Sequence, residues 1–329
     1  MPDHLRTWDK YSNSAWPTLL VGNGMSINVW RNFSYTRLLV KANLSQPARK
    51  LFDDFGTVNF EVVLEALWHA ERTLAALGRP TAMVKGLYRH VQQQLVAAVR
   101  QVHVPWELLP GEALSQTSDE LRTFQSVFTL NYDLLTYWAF MAGGHTADFG
   151  DFFWSHNNTF SQADCELSPA RTGLYFLHGG VHLWQDSATG YTGKWTRRSV
   201  GRLLADLASA LENAPNRRPL FVSEGTSAQK MSAIRRSDYL SFARRQLFED
   251  HSDTVIFGAS FGDQDDHVIS ALNAGPRRKF AISVRPGTGS QNVAVMARYR
   301  SRLPRHDLRF FDSRTHPLGD EALSVNDEN

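Results

Sequence analysis

A histidine that follows an apolar run and precedes two glycines is well suited to acid–base chemistry. The segment reads Tyr175-Phe176-Leu177-His178-Gly179-Gly180, with His182 close behind it. Imidazole titrates near neutral pH, so a histidine that faces a cleft can act as a general base. The apolar run predicts a buried strand, and the glycines leave open space beside its end. We therefore predict that His178 faces a cleft and takes a proton there.

Polar side chains also follow the apolar run that ends near Thr129. Asn131 and Asp133 stand in the sequence Phe128-Thr129-Leu130-Asn131-Tyr132-Asp133. An amide both donates and accepts hydrogen bonds, and a carboxylate can hold an amide group or stabilise positive charge. Aspartate is also a preferred helix N-cap, and a helical pattern follows toward Met141. A ligand contact and a helix cap therefore both stay open for Asp133.

Two glycine turns end two further apolar runs. They read Gly22-Asn23-Gly24-Met25-Ser26 and Gly258-Ala259-Ser260-Phe261. Glycine lets the backbone approach a ligand closely, and free N–H groups at a helix start favour an anionic group such as a pyrophosphate. The dehydrogenase fingerprint would need glycine where Ile27 stands, and an acidic residue about 20 positions later, which is absent. The first turn is therefore either a plain glycine turn or a phosphate site outside the ordinary dehydrogenases, and the second is another glycine turn followed by a hydroxyl group.

An acidic cluster with a histidine follows the second glycine turn, but we do not expect it to bind a metal. It comprises Asp263, Asp265, Asp266 and His267. Acidic residues at a helix start are favoured by the helix dipole without any metal. The single cysteine, Cys165, excludes an internal disulfide and any zinc site made of four cysteines.

The candidate residues follow apolar runs, and we expect these runs to form the strands that position them. Most of the runs are short, unbroken and rich in Val, Leu, Ile and Phe, which is typical of strands buried on both faces of a parallel sheet. Helical patterns lie between them, so the sequence predicts an α/β fold with a Rossmann-like, doubly wound parallel sheet and α-helical insertions. The runs are Thr18–Val21, Ser126–Leu130, Leu174–Leu177, Leu220–Val222, Thr254–Phe257, Phe280–Val284 and Leu308–Phe311.

Long segments separate some of these runs, and we interpret them as insertions into one domain that spans residues 1–316. Apolar residues at helical intervals predict a helical insertion at about 33–123, and a loop-rich insertion is expected at about 142–172. A hairpin or loop and then a helix near Val200–Leu211 should follow. The polar, acidic tail at 317–329 is expected to be disordered.

Charge and composition exclude several classes of protein. The 329 residues carry a formal charge of +2 with scattered arginine pairs, so we do not expect direct nucleic-acid binding. No segment approaches the roughly 20 apolar residues of a membrane span. The first residues, Met1-Pro2-Asp3-His4, lack the apolar run of a signal peptide. We therefore expect a cytoplasmic protein without membrane contact.

Taken in order, the four strand-end motifs resemble those of the sirtuin-like superfamily. That family carries G-A-G-x-S, then T-Q-N-x-D, then a catalytic His-Gly, then G-T/A-S-L, and the order here is the same. More narrowly, the chain resembles the sirtuin-like DUF4917 group over about residues 15–285. The matching phrases are Gly22–Ile27, Asn59–Glu61, Leu130–Asp133, Leu177–Gly179, and Val222–Thr226 with Gln229 and Lys230.

One departure from the sirtuin pattern bears on the reaction. Protein-deacylating sirtuins carry a zinc module of four cysteines after the His-Gly motif, whereas Cys165 is the only cysteine here and precedes it. Leu130 in place of Gln and Phe261 in place of Leu are milder changes. The chain is thus more similar to the zinc-free bacterial sirtuin-like proteins, which resemble NAD+ hydrolases of antiphage defence.

The resemblance implies an NAD+ glycohydrolase that yields nicotinamide and ADP-ribose, or cyclic ADP-ribose, and needs no metal. It implies catalytic roles for His178, Asn131 and Asp133. It favours a homo-oligomer. Three ways of gating the activity stay open: oligomerisation, a separately encoded partner such as an ATPase, and phage components. Two alternatives stay open: a catalytically silent NAD or ADP-ribose sensor, and a protein ADP-ribosyltransferase or deacylase. Glu61 is either an additional contact or a solvated helix residue. The residues implied in NAD+ binding are Gly22, Asn23, Gly24, Ser26, Thr129, Gly179, Gly258, Ser260 and Phe261.

Overall fold

The computed structural model describes residues 5–154, 156–186, 188–196, 203–214, 216–222 and 226–325. Within these ranges the strands are β1 (Thr18–Val21), β2 (Ser126–Thr129), β3 (Phe149–Gly150), β4 (Thr172–Phe176), β5 (Gly179–Asp186), β6 (Thr192–Lys194), β7 (Arg217–Phe221), β8 (Thr254–Phe257), β9 (Lys279–Val284) and β10 (Asp307–Asp312). The α-helices are α1 (Asp9–Ser12), α2 (Asn23–Val29), α3 (Tyr35–Lys41), α4 (Gln46–Asp54), α5 (Phe60–Ala76), α6 (Ala82–Val102), α7 (Gly111–Leu121), α8 (Leu135–Ala142), α9 (Leu203–Glu212), α10 (Ser227–Arg235), α11 (Asp238–Glu249), α12 (Asp266–Leu272) and α13 (Gly289–Arg302).

A seven-stranded sheet forms the centre of the fold, in the order β10-β9-β8-β1-β2-β4-β3. All of its neighbouring strands run parallel. Every residue of β1 and of β8 is buried, as unbroken apolar runs require in a sheet that is covered on both faces. The Rossmann-like α/β fold expected from the sequence is confirmed.

The strand order reverses at β1, and this reversal locates the ligand crevice of such a sheet. From β1 the chain continues to β2, β4 and β3 on one side, whereas β8, β9 and β10 extend the sheet on the other. Ligands of open α/β sheets bind outside the carboxyl ends of the strands at such a switch point. Val21 pairs in register with Thr129 and with Phe257, so the turns after β1, β2 and β8 begin at the same level.

The chain between β1 and β2 is helical and reaches the same end of the sheet. Helix α5 packs against α6, and α3 also contacts α6. Phe52 and Phe60 meet edge to face with their ring centroids 4.9 Å apart, and both are buried. Phe60 from α5 and Leu95 and Val99 from α6 line the crevice described below. This helical segment therefore contributes to the site as well as to the core.

One run that we expected in the parallel sheet belongs to a second sheet. Residues 220–221 end β7, which pairs antiparallel with β5 in a three-stranded sheet ordered β6-β5-β7. Strand β7 is only partly buried, and a short apolar run does not specify the direction of its partner. The parallel sheet instead includes β3, within the segment expected to be loop-rich. Helix α9 covers most of the helix expected near Val200–Leu211, of which residues 200–202 lie outside the described ranges.

The C-terminal tail, expected to be disordered, is folded onto the domain as far as residue 325. Leu318 and Leu323 are buried, and the backbone N–H of Val325 donates to the carbonyl of Val29 at 2.8 Å. Short 3₁₀ turns at Pro317–Gly319 and Glu321–Leu323 contact α2. For residues 317–325 the prediction was wrong, because isolated leucines anchor a segment whose average composition is polar; residues 326–329 lie outside the described part of the chain.

Candidate functional site

A cleft of about 1000 Å³ opens at the carboxyl ends of β1, β2, β4 and β8. The turns after these strands line it, together with residues of the helical segment. The predicted site residues that line it are Gly22, Asn23, Asn131, Asp133, His178, Gly258, Ser260 and Phe261. The helical segment, for which the sequence indicated only Asn59–Glu61, adds Phe33, Tyr35, Leu38, Asn59, Phe60, Leu95 and Val99. The topology thus brings residues from distant parts of the sequence into one site.

A hydrogen-bond network holds Asn131 beside the first glycine turn. Its Nδ2 group donates to Ser26 Oγ at 2.9 Å and to the Gly22 carbonyl at 3.2 Å. Its backbone N–H donates to Thr129 Oγ1 at 3.1 Å. Its Oδ1 atom is buried and has no hydrogen-bond partner among the described residues. Asn131 therefore has its donors anchored in the protein and one acceptor left for a ligand.

Asp133 completes this network and also begins the next helix. Its Oδ2 accepts a hydrogen bond from Ser26 Oγ at 2.6 Å, and its Oδ1 accepts one from the Leu135 backbone N–H at 2.8 Å, where α8 starts. Burial raises the pKa of Asp133 above its usual value, and the hydrogen bonds from Ser26 and Leu135 oppose that rise. The N-cap of α8 is Leu134, which has no side-chain cap, so Asp133 lies one residue before the cap position and accepts a hydrogen bond from the first helical residue. The same carboxyl group anchors Ser26.

The two glycine turns pack directly against each other. The N–H of Gly22 donates to the Phe257 carbonyl at 2.9 Å, and the N–H of Gly24 donates to the Gly258 carbonyl at 2.8 Å. A Cβ on Gly24 would lie 2.6 Å from the Gly258 Cα, and one on Gly22 would lie 2.6 Å from the Ala259 Cα. The close backbone approach expected for a ligand is thus made by the second turn. The N–H groups of Gly22 and Gly24 are therefore already used within the protein, and phosphate binding at the start of α2 stays a prediction for other N–H groups.

His178 forms a buried pair with His267, a contact that the sequence did not reveal. The two Nε2 atoms lie 2.8 Å apart. Burial, and secondly the nearby Lys230, lower the pKa of His178 well below its usual value near 6.5 and that of His267 to about 3. Both imidazoles are therefore neutral at pH 7, which is the state a general base needs. The sequence shows His267 within the acidic cluster, but nothing in that cluster indicates a contact with His178.

A buried lysine compensates one carboxylate of the acidic cluster. Lys230 is 1% exposed, and its Nζ pairs with Asp265 Oδ1 at 3.2 Å at the edge of the cleft.

The part of the chain that the structure describes contains no group of three or more His, Cys, Asp or Glu arranged to hold a metal ion. None of the described helices is long and apolar enough to cross a bilayer.

A second cleft, of about 900 Å³, adjoins the first at the turn after β8. The two clefts share Gly258, Ala259 and Ser260. Arg285 and Arg298 line the second cleft, and the Arg298 guanidinium donates to the Ser260 carbonyl at 3.4 Å. Two adjoining compartments therefore meet at this turn, and one of them carries guanidinium groups.

Three predicted binding residues do not line the first cleft themselves but adjoin residues that do. Ser26 and Thr129 are fully buried and hold Asn131 as described above. Gly179 has a φ of +75° at the start of β5, and a Cβ there would strike the Leu220 carbonyl. The contact of these three residues with a ligand stays a prediction. The side chain of Glu61, and residues 223–225 of the matching phrase, lie outside the described part of the chain.

The chain is a Rossmann-like α/β protein with a cleft, lined in part by polar side chains, at the switch point of its sheet. Residues 19–318 match the family model of DUF4917, a domain of unknown function, and the chain belongs to that family. No curated protein matches the chain. The family covers the parallel sheet and both clefts almost completely, and its description names no reaction.

Proposed function

We propose that this protein is a sirtuin-like NAD+ glycohydrolase, which cleaves NAD+ to nicotinamide and ADP-ribose. The observation that carries the proposal is that Asn131 and His178 line one cleft, the first with a buried unpartnered acceptor and the second as a buried neutral imidazole. They follow the neighbouring strands β2 and β4. The order of the four strand-end motifs, which resembles that of sirtuins, adds support.

The adjoining compartments suit the two halves of a dinucleotide. In the proposed complex, the nicotinamide riboside occupies the cleft that contains Asn131 and His178. The adenosine half and the pyrophosphate occupy the second cleft, where Arg285 and Arg298 can offset the phosphate charge. Ser260 lies in the turn that the two clefts share, so both halves of the dinucleotide would lie beside it.

In the proposed reaction, the glycosidic C1′–N bond breaks and its electron pair leaves with nicotinamide. The Asn131 Oδ1 atom accepts a hydrogen bond from a ribose hydroxyl and so fixes the ribose. The Asp133 carboxyl group stabilises the positive charge that develops on the ribose. The oxygen of water bonds to C1′, and its proton passes to His178. A ribose or adenine atom that attacks instead of water would give cyclic ADP-ribose.

A catalytically silent NAD or ADP-ribose sensor is the second candidate. Both oxygens of Asp133 already accept hydrogen bonds within the protein, which favours a structural role for that carboxyl group. A sensor would bind NAD+ tightly in the same clefts without turnover. A protein ADP-ribosyltransferase or deacylase would turn NAD+ over only with a protein or acyl-peptide acceptor.

Hydrolysis of fluorescent etheno-NAD by the purified protein tests the proposal. Asn131→Ala should lower kcat by about 10²-fold, because the ribose loses its fixed orientation. Asn13→Ala, at an exposed position that follows α1, is the matched control and should leave kcat unchanged. Wild-type turnover in folded Asn131→Ala would refute the assignment. Binding without turnover by the wild type would favour the sensor, and turnover only with an acyl-peptide would favour the deacylase.

We further propose that the enzyme depletes cytoplasmic NAD+ in bacterial antiphage defence. An ungated NAD+ hydrolase would be toxic to its own cell, so activity would be controlled by homo-oligomerisation, by a separately encoded partner such as an ATPase, or by phage components. NAD+ measured in infected cells should fall with the wild type and stay constant with Asn131→Ala. Constant NAD+ in infected wild-type cells would contradict this role.

A further inference from the structure

His267 lies where it can control the ring of His178. It stands in the first turn of α12, and its Nε2 lies 2.8 Å from the Nε2 of His178 at the end of β4. Both side chains are buried, at 5% and 3% exposure. A contact this short between two neutral rings requires one nitrogen to carry hydrogen and the other to present a lone pair. Each ring therefore dictates the tautomer of the other.

Ser227 holds His267 from the other side. Its Oγ accepts a hydrogen bond from the backbone N–H of His267 at 2.9 Å and lies 3.4 Å from His267 Nδ1. Ser227 is the first residue of α10, where Thr226 and Gln229 form a capping box. A hydrogen on Nδ1 that points to Ser227 leaves the Nε2 of His267 as an acceptor. Contacts then connect His178 at the cleft, through His267, to Ser227 at the start of α10.

We propose that His267 is a positioning residue that accepts the Nε2–H of His178 and so keeps the His178 Nδ1 lone pair as the proton acceptor of the site. The kinetic consequence rests on the proposed NAD+ hydrolysis. When the proton from water adds to His178 Nδ1, the ring becomes cationic and its hydrogen bond to His267 strengthens. Without His267, the ring is free to take the tautomer with hydrogen on Nδ1, whose lone pair lies on Nε2, so it cannot accept a proton at Nδ1.

Two variants of His267 separate positioning from packing. His267→Phe keeps an aromatic ring but removes the acceptor, so kcat should fall by about 10- to 100-fold while KM for NAD+ stays unchanged. His267→Gln places an amide oxygen near the position of Nε2, and it should recover most of that loss. His69→Gln, exposed on α5, is the control and should match the wild type. Wild-type kcat in folded His267→Phe would overturn the proposal, and so would an equal loss in Phe and Gln.

A measurement without substrate separates this inference from the proposed reaction. Histidine-selective ¹⁵N labelling reports the tautomer of His178, whose signals are assigned by their loss in His178→Gln. At neutral pH the wild type should show hydrogen on Nε2 alone, and His267→Phe should show a mixture of tautomers. Hydrogen on Nδ1 in the wild type would overturn the proposal even if NAD+ is hydrolysed. The Nε2–H tautomer in a protein that does not hydrolyse NAD+ would refute the reaction and support the pairing of the histidines.

Discussion

Substitution of Gly24 by alanine should destabilise the protein, because the two glycine turns leave no space for a methyl group. The added Cβ would lie 2.6 Å from the Gly258 Cα and 2.9 Å from the Gly258 carbonyl oxygen. Carbon atoms pack at about 3.5–4.0 Å, so the turns would have to separate by about 1 Å. Overpacking costs about 1–3 kcal/mol, and a broken hydrogen bond from Gly24 to Gly258 adds about 1 kcal/mol. The separation would also displace a turn that lines both clefts, so NAD+ binding should weaken.

Gly86→Ala is the matched control for this substitution. Gly86 lies within α6, and an added Cβ there has no other atom within 4 Å. Alanine should therefore stabilise the helix by up to about 1 kcal/mol. Urea unfolding followed by circular dichroism should give free-energy changes of opposite sign for the two variants. If Gly24→Ala unfolds at the wild-type urea concentration, the packing argument is refuted. Weakened NAD+ binding in calorimetry at wild-type stability would instead indicate a direct ligand contact.

Three further predictions concern a carboxyl network, pH and metal. Asp133→Ala should lower the unfolding free energy by about 1–3 kcal/mol and lower turnover, because Ser26 and the backbone N–H of Leu135 lose their acceptor; a thermal melt beside a turnover assay checks both, and lost stability with unchanged kinetics would indicate a purely structural role. Burial raises the pKa of Glu120 from 4.5 to about 7. The contribution of Glu120 to the unfolding free energy is fully present below pH 4.5 and is lost as the pH rises through about 7. The urea midpoint of the wild type should therefore fall over this pH range, whereas the midpoint of Glu120→Gln should not. The same fall in the variant would assign the effect to another group. EDTA should not inhibit turnover, and a stoichiometric zinc in elemental analysis would contradict the argument from the single Cys165.

The sequence by itself determined the parallel sheet and the polar residues at its strand ends. Strands β1 and β8 were predictable because burial on both faces requires short, unbroken apolar runs. Asn131 and His178 were predictable as cleft residues because parallel strands bring their carboxyl ends to one edge. These inferences use only local composition and a general property of the fold.

Only the tertiary structure decided which groups touch. His178 and His267 are 89 residues apart, and their contact depends on where α12 packs relative to β4. Gly24 meets Gly258 because β1 and β8 are neighbours in register, and the same proximity pairs the N–H of Gly24 with the Gly258 carbonyl. The tail is folded because Leu318 is buried against the domain. Each of these contacts depends on the register and order of distant elements, which local composition does not encode.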